Sequence, residues 1–362
     1  MTKVRQLDGI KYIDMTDEGE LTHRQIGQKL GESIGDDVEG SLKAHFADVD
    51  MDNAKALKIF YILWKKADEL FPKYLDELKG VAEGSGQDFE KIVRFSFEEE
   101  LYNLENTESE GYSPKHCSSL SLKTKDGIVL AHNEDWDLDL LPYVLKAKPK
   151  NEPKFLCVSY AGQSPGQILG LNEYGMAFGA NSVETDISFN GLSKGYILRS
   201  LLEAKNMEHA INLTVKKPRN MGANTLIVDG KTQEMAKFEW AQEAYRIILG
   251  DDYLFHTNNF TTEDLAKYDI WEEEGFETFE DCARYKAFRH LLNKIGKHPS
   301  LADAMRIMRS HRGKPDSICK HRVPSEDMDI RTVCCAIVNP AKGIMYFSPG
   351  NPCRKKFRGI VL

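Results

Sequence analysis

Apolar positions fall into two textures along the chain. From about Leu21 to Leu104 they recur at spacings of three and four, as in Ala56-Leu57, Ile59-Phe60-Tyr61, Leu63-Trp64, Leu70-Phe71, Tyr74-Leu75 and Leu78, which predicts helices over the first third. Thr107 to Pro114 is polar and carries glycine and proline, so it reads as an exposed linker. Beyond it the period drops to two. Ser118 to Leu122 alternates, Lys125-Asp126-Gly127 supplies a tight turn, and Ile128 to Ala131 is apolar again, the pattern of a β-hairpin. Further strands are expected at 154–160, 166–171, 175–180, 225–229, 234–240, 244–249, 333–339 and 343–348, with helices at 196–204, 207–215, 282–294 and 301–309. Strands in meandering pairs, interrupted by helix pairs, predict an α+β fold in which helices cover a largely antiparallel sheet.

Composition narrows the function classes. With 362 residues and 41% hydrophobic positions, the chain can bury a sizeable core. Its 56 acidic and 48 basic residues give a net charge of −8, which disfavours a nucleic-acid partner. No run of about 18 apolar residues occurs, and Met1 to Asp8 lacks the apolar stretch of a signal peptide, so neither membrane nor export is expected. The seven cysteines, at 117, 157, 282, 319, 334, 335 and 353, form an odd set without a CxxC pair. That fits neither a disulfide framework nor a zinc motif, and leaves a reducing cytoplasm as the simplest setting, with no metal and no cofactor expected.

One cysteine stands out by position. Cys117 directly follows the linker and directly precedes the first strand of the hairpin, and the second strand ends in His132-Asn133-Glu134-Asp135-Trp136-Asp137. The end of that strand returns to the start of the first, so polar groups near Asn133 and Asp135 are expected beside Cys117.

Cys117-Ser118-Ser119, the turn at Asp126-Gly127 and Asn133-Glu134-Asp135-Trp136 together resemble the isopenicillin N acyltransferase family of autoproteolytic N-terminal-nucleophile (Ntn) hydrolases. Asn172-Glu173-Tyr174-Gly175-Met176-Ala177 running to Asn181, then His256-Thr257-Asn258-Asn259-Phe260, then Pro315 to Cys319 and Gly350-Asn351-Pro352, agree with it in order and spacing. The resemblance implies an αββα sandwich with a helical amino-terminal segment. Residues 1–116 would become a small subunit and 117–362 the sandwich core, cut apart between His116 and Cys117 yet held as one compact unit.

It also implies a chemistry. A thiol of pKa about 8.5 is mostly protonated at neutral pH, whereas an α-amine of pKa about 7.7–8.0 can take its proton and later return it to a leaving amine. Cys117 would supply nucleophile and base, Asp135 would orient the new α-amino group, and the Asn258 side-chain amide with the Asn181 backbone N–H would stabilise the oxyanion. Asn133 would support this cluster, and Arg331 lies near where family members carry an arginine. His116 departs from the family, which commonly has glycine before the nucleophile. The expected activity is cleavage or transfer of an acyl group from a small N-acyl amine through a Cys117 thioester. A bile-salt or penicillin V amidase-like hydrolase and an uncleaved, non-catalytic binding protein are the alternatives.

Overall fold

The computed structural model describes residues 1–47, 49–105, 117–136, 140–215, 218–270, 278–324 and 329–362, with the side chains of 103–105 left aside. The linker read at 107–114, and His116, lie outside the described residues.

The first third contains β1 (Lys3–Leu7), β2 (Ile10–Asp14), α1 (His23–His45), α2 (Ala54–Leu70), α3 (Pro72–Ser85), α4 (Phe89–Phe95) and α5 (Glu98–Glu105). Then follow β3 (Ser118–Thr124), β4 (Gly127–Trp136), β5 (Pro142–Ala147), β6 (Phe155–Tyr160), β7 (Leu169–Asn172), β8 (Met176–Val183), α6 (Lys194–Leu201), α7 (Met207–Thr214), β9 (Gly222–Asp229), β10 (Glu234–Trp240), β11 (Tyr245–Gly250) and β12 (Tyr253–His256). The chain finishes with α8 (Glu263–Ala266), α9 (Ala283–Leu292), α10 (Leu301–Met308), β13 (Arg331–Asn339), β14 (Ile344–Pro349) and β15 (Arg358–Val361).

Two sheets result, with strand orders β1-β2-β5-β6-β7-β8-β9-β10-β11 and β12-β3-β4-β13-β14-β15. Every pairing is antiparallel except β2 with β5. The sheets meet face to face. A Cβ on Gly179 of β8 would lie 3.1 Å from Leu130 Cδ2 of β4, and Ser119 of β3 donates to Asn181 of β8. On the outer side of the smaller sheet, Leu120, Leu122, Val129, Ala131 and Ile337 pack on Ala287 and Phe288 of α9 and Ile307 and Met308 of α10. On the outer side of the larger sheet, the Asn172 amide at the end of β7 donates to the carbonyls of Leu202 and Ala204 just beyond α6. The α, β, β, α layering expected from the sequence is therefore present. With both faces covered, β4 and β8 are buried almost end to end, so they read as runs and not as alternation.

The first third is not all helix. The first 14 residues form a hairpin whose inner strand, β2, joins the larger sheet beside β5, so the amino-terminal segment is built into the sandwich. Its helices pack at backbone distance. A Cβ on Gly27 would lie 1.8 Å from the Glu77 carbonyl oxygen, and one on Gly80 would lie 2.1 Å from that of Arg24, so only glycine lets α1 and α3 approach this closely. A fully buried ion pair fastens them to the rest. Arg199 of α6 donates through Nε and Nη2 to Glu77 of α3 at 3.0 and 2.9 Å, and His23 of α1 completes the cluster. Burial alone would raise the Glu77 carboxyl, but the Arg199 charge outweighs it and holds the pKa at about 2. Removing one partner of such a pair strands the other, so Glu77→Ala is expected to cost about 3–5 kcal/mol in urea unfolding. A loss below about 1 kcal/mol would mean that the pair does not hold the segment.

Candidate active site

The β3–β4 hairpin places the cysteine. Ser118 faces Asn133 and Ser119 faces His132 across the ladder, and the turn is closed by Gly127 at φ 101°, a conformation suited to glycine. Continuing that register by one step sets Cys117 against Glu134. Its Sγ lies 3.5 Å from Glu134 Oε2 and 3.8 Å from the Asp135 carbonyl oxygen, and the residue is only 6% exposed.

Strand alternation divides the polar run of β4 between two faces. Glu134 and His132 turn into the gap between the sheets with Cys117 and Ser119. Asn133 turns to the opposite side, where its amide donates to the carbonyls of Met308 and Ile318 at 2.9 and 2.6 Å and clamps the segment after α10. The inner face carries a hydrogen-bonded chain. Ser119 Oγ donates to Asn181 Oδ1 at 2.5 Å and lies 2.8 Å from His132 Nδ1, His132 Nε2 lies 2.7 Å from Glu134 Oε2, and the Tyr160 hydroxyl donates to Glu134 Oε1 at 2.7 Å. Burial would raise the Glu134 carboxyl, but His132 and Tyr160 reverse the shift and keep it below the ordinary range. Cys117, His132 and Glu134 also bring a sulfur, a nitrogen and an oxygen within 4.8 Å of one another, a donor set that a metal could use.

Asp135 lies opposite Thr332 of β13, with its carboxyl buried and the Thr332 hydroxyl as its hydrogen-bonding neighbour. Burial, with Glu134 adding to it, pushes its pKa well above the usual carboxylate range, and Thr332, Arg284 and Lys320 oppose this only in part. The Cys117 thiol is likewise pushed well up, by burial first and then by Glu134 and Asp135. In the uncut chain it is therefore a neutral thiol at physiological pH.

Asn258, just beyond β12, donates through Nδ2 to the Ser182 carbonyl at 2.9 Å, and its Oδ1 accepts from Arg284 Nη1 at 3.0 Å. The same Arg284 nitrogen donates to the Cys117 carbonyl oxygen at 2.5 Å, while its Nε reaches Asp316. Asn181 faces Asn224 in the β8–β9 ladder, and its Nδ2 is buried without a partner among the described residues. Cys117, Asp135, Asn133, Asn181 and Asn258 are thus gathered around one hairpin. Arg331 is not brought to the thiol. It stands opposite Trp136 in β13 and turns to Asp329, pairing with it through Nε at 2.9 Å. The arginine beside Cys117 is Arg284, at the start of α9, which no sequence signal singled out. Glu134 and His132 could have been found by counting in twos from Cys117 and Ser119 across the turn.

A pocket opens onto the thiol, bounded by Cys117, Glu134, Trp136, Tyr160, Ala180 and Ser182. Its far wall is Glu98 and Glu99 of α5, with Gln163 and Lys194, so the amino-terminal segment contributes directly. Lys194 Nζ donates to Glu99 and, at 2.5 Å, to Ser182 Oγ, and Gln163 donates to Glu98 at 2.7 Å. Burial, reinforced by Glu99, pushes the Glu98 carboxyl up to about 8. The fold thus binds the Glu98 proton more tightly than the unfolded chain does. Stability should fall as pH rises from about 4.5 through about 8, where the carboxyl must ionise while buried. Glu98→Gln is expected to match the wild type near pH 4 and to gain on it, by on the order of a few kcal/mol, by pH 9. Thermal unfolding of both proteins across that range checks this, and parallel pH curves would contradict it.

Set beside known proteins, the sequence matches the acyl-coenzyme A:6-aminopenicillanic acid acyl-transferase family over residues 122–354, more than half of the chain. The chain belongs to that family. It is 25% identical over 222 residues to the β-alanyl-dopamine/carcinine hydrolase of Drosophila melanogaster, an alignment covering 56% of this chain and 57% of that protein. Two solved structures are similar at low identity. The conjugated bile acid hydrolase of Clostridium perfringens is 14% identical with a TM-score of 0.48, covering 68% of this chain and 92% of that one. The penicillin V acylase of Agrobacterium tumefaciens is 15% identical with a TM-score of 0.45, covering 64% and 82%. Among the described residues, no helix is long and apolar enough to cross a membrane.

Proposed function

We propose that the chain cuts itself between His116 and Cys117 and then uses Cys117 as an amino-terminal nucleophile on the amide bond of a small aminoacyl amine. The observation that carries this reading is a buried thiol with the buried carboxyl of Asp135 near enough to push its pKa up. In the uncut chain the thiol is neutral, and its nitrogen, an amide, is no base. Cleavage would convert that nitrogen to an α-amine, and the Asp135 carboxylate would hold it and fix its orientation. The amine takes the thiol proton, and the thiolate attacks the substrate carbonyl. The Asn258 amide and the Asn181 backbone N–H receive the developing negative charge. The C–N bond breaks as the α-ammonium returns the proton to the leaving amine. Water, or a second amine, then releases the thioester. The two fragments stay together through β2 in the sheet and the Glu77–Arg199 pair, and α5 keeps its place at the pocket.

A carboxylate beside the thiol favours a cationic acyl group. Glu134, held ionised there while Lys194 pairs with Glu99, would attract an ammonium at the end of a short acyl chain, which agrees with the β-alanyl-dopamine named for the fly relative. The test is hydrolysis of matched amides of one amine, with β-alanyl against butanoyl as the acyl group. The proposal expects the β-alanyl amide to have at least about 10-fold higher kcat/KM with wild type, and Cys117→Ser to lose most turnover. Equal turnover by wild type and Cys117→Ser would sink the nucleophile, and a preference for butanoyl would sink the cationic substrate.

A further inference from the structure

Away from the pocket, four donors converge from separate places in the chain: His311 beyond α10, Cys319 and His321 in the segment before β13, and Cys353 beyond β14. His321 Nε2 lies 3.1 Å from His311 Nε2, 3.3 Å from Cys353 Sγ and 3.8 Å from Cys319 Sγ, and all four donor atoms lie within 4.8 Å of one another. A tetrahedral zinc ion with bonds of about 2.0–2.1 Å to nitrogen and 2.3 Å to sulfur separates its ligand atoms by about 3.3–3.8 Å. The distances from His321 Nε2 to the two sulfurs, 3.3 and 3.8 Å, fall in that range, and no donor pair is more than 4.8 Å apart, so small side-chain shifts would complete the tetrahedron. Both cysteines are free thiols, and Asn351 Nδ2 stands 3.6 Å from Cys319 Sγ while also donating to the Lys320 carbonyl at 2.6 Å, an outer partner of the kind that fixes a thiolate ligand.

We infer that His311, Cys319, His321 and Cys353 form a structural zinc(II) site. Two imidazole nitrogens and two sulfurs are the donor set of closed zinc sites, and no position is left for water. Binding replaces the two thiol protons, which leave to solvent, with two Zn–S bonds, so the two thiolates balance the ion's charge. Sequence spacing hid the site because its two cysteines do not form a close pair: seven residues separate His311 from Cys319, one separates Cys319 from His321, and the last thiol waits at 353. The ion would tie the turn after β14 to the segment holding Asp316 and Ile318, which contact Arg284 and Asn133 and so back the hairpin that carries Cys117.

Full-length protein, stripped with chelator under reducing conditions, should take up one equivalent of zinc and show thiolate-to-cobalt charge-transfer bands with cobalt(II). The Cys319→Ser/Cys353→Ser double variant should lose those bands and bind zinc at least about 100-fold more weakly. Cys117→Ala, which removes a donor from the other cluster, should keep both. Zinc should raise the unfolding temperature of the wild type and not of the double variant. Equal zinc binding by wild type and double variant, bands lost only with Cys117→Ala, or a Cys319–Cys353 disulfide mapped in freshly purified protein would each overturn the site.

Discussion

Cys117→Ala should lower amide turnover by at least about 10³-fold and leave the chain uncut at 41.1 kDa, because one substitution removes the attacking sulfur of both reactions. The effect should fall on kcat, since Glu134, Glu99 and the rest of the pocket remain to bind substrate. Unfolding should change little, because the hydrogen-bond contacts of the lost sulfur among the described residues are the long ones to Glu134 and the Asp135 carbonyl. A variant that kept a tenth of wild-type turnover would place the chemistry on another group, with the His132–Glu134 pair as the nearest candidate.

The second large effect is expected at Asn258. Its side chain is aimed by two contacts, the Ser182 carbonyl and Arg284 Nη1, so it is oriented before substrate arrives. Preorganised donors of this kind are worth about 10²–10³ in kcat each, and Asn258→Ala should lose that factor with little change in KM. Steady-state kinetics on cut protein separates this from a failure of maturation. A KM rise at constant kcat would instead make Asn258 a ground-state binding group. Arg284 links Asn258 to the Cys117 carbonyl, so a change at Arg284 should disturb both partners, and the two effects should not add.

The sandwich was legible where the chain repeats its period over enough residues. The strands near 118–122, 128–131, 225–229 and 234–240 and the helices near 207–215 and 301–309 stand where alternation and three-four spacing put them. What escaped was short, edge-bound or polar. β1 and β15 are outermost strands with exposed faces, and β12 has only four residues. β12 ends at His256 and α8 begins only after Thr262, so Asn258 sits in the bend between them.

The site was legible along the chain and not across it. Cys117, Asn133 and Asp135 share one hairpin, whose register follows from its turn, and motif order supplied Asn181 and Asn258. Arg284 reaches the site from a separate helix, and α5 closes the pocket from the amino-terminal segment, contacts that tertiary packing alone creates. The four zinc donors are hidden for the same reason, because β14 must fold back on β13 before Cys353 meets Cys319 and the two histidines.

Whether a self-made amino-terminal Cys117 carries the acyl group can be read by intact mass spectrometry of purified protein quenched in acid during turnover of a β-alanyl amide. Two chains split at His116–Cys117 are expected, with the acyl mass added to the fragment that begins at Cys117 and removed by hydroxylamine. A single uncut chain that still turns substrate over, or an adduct on any other residue, would contradict it.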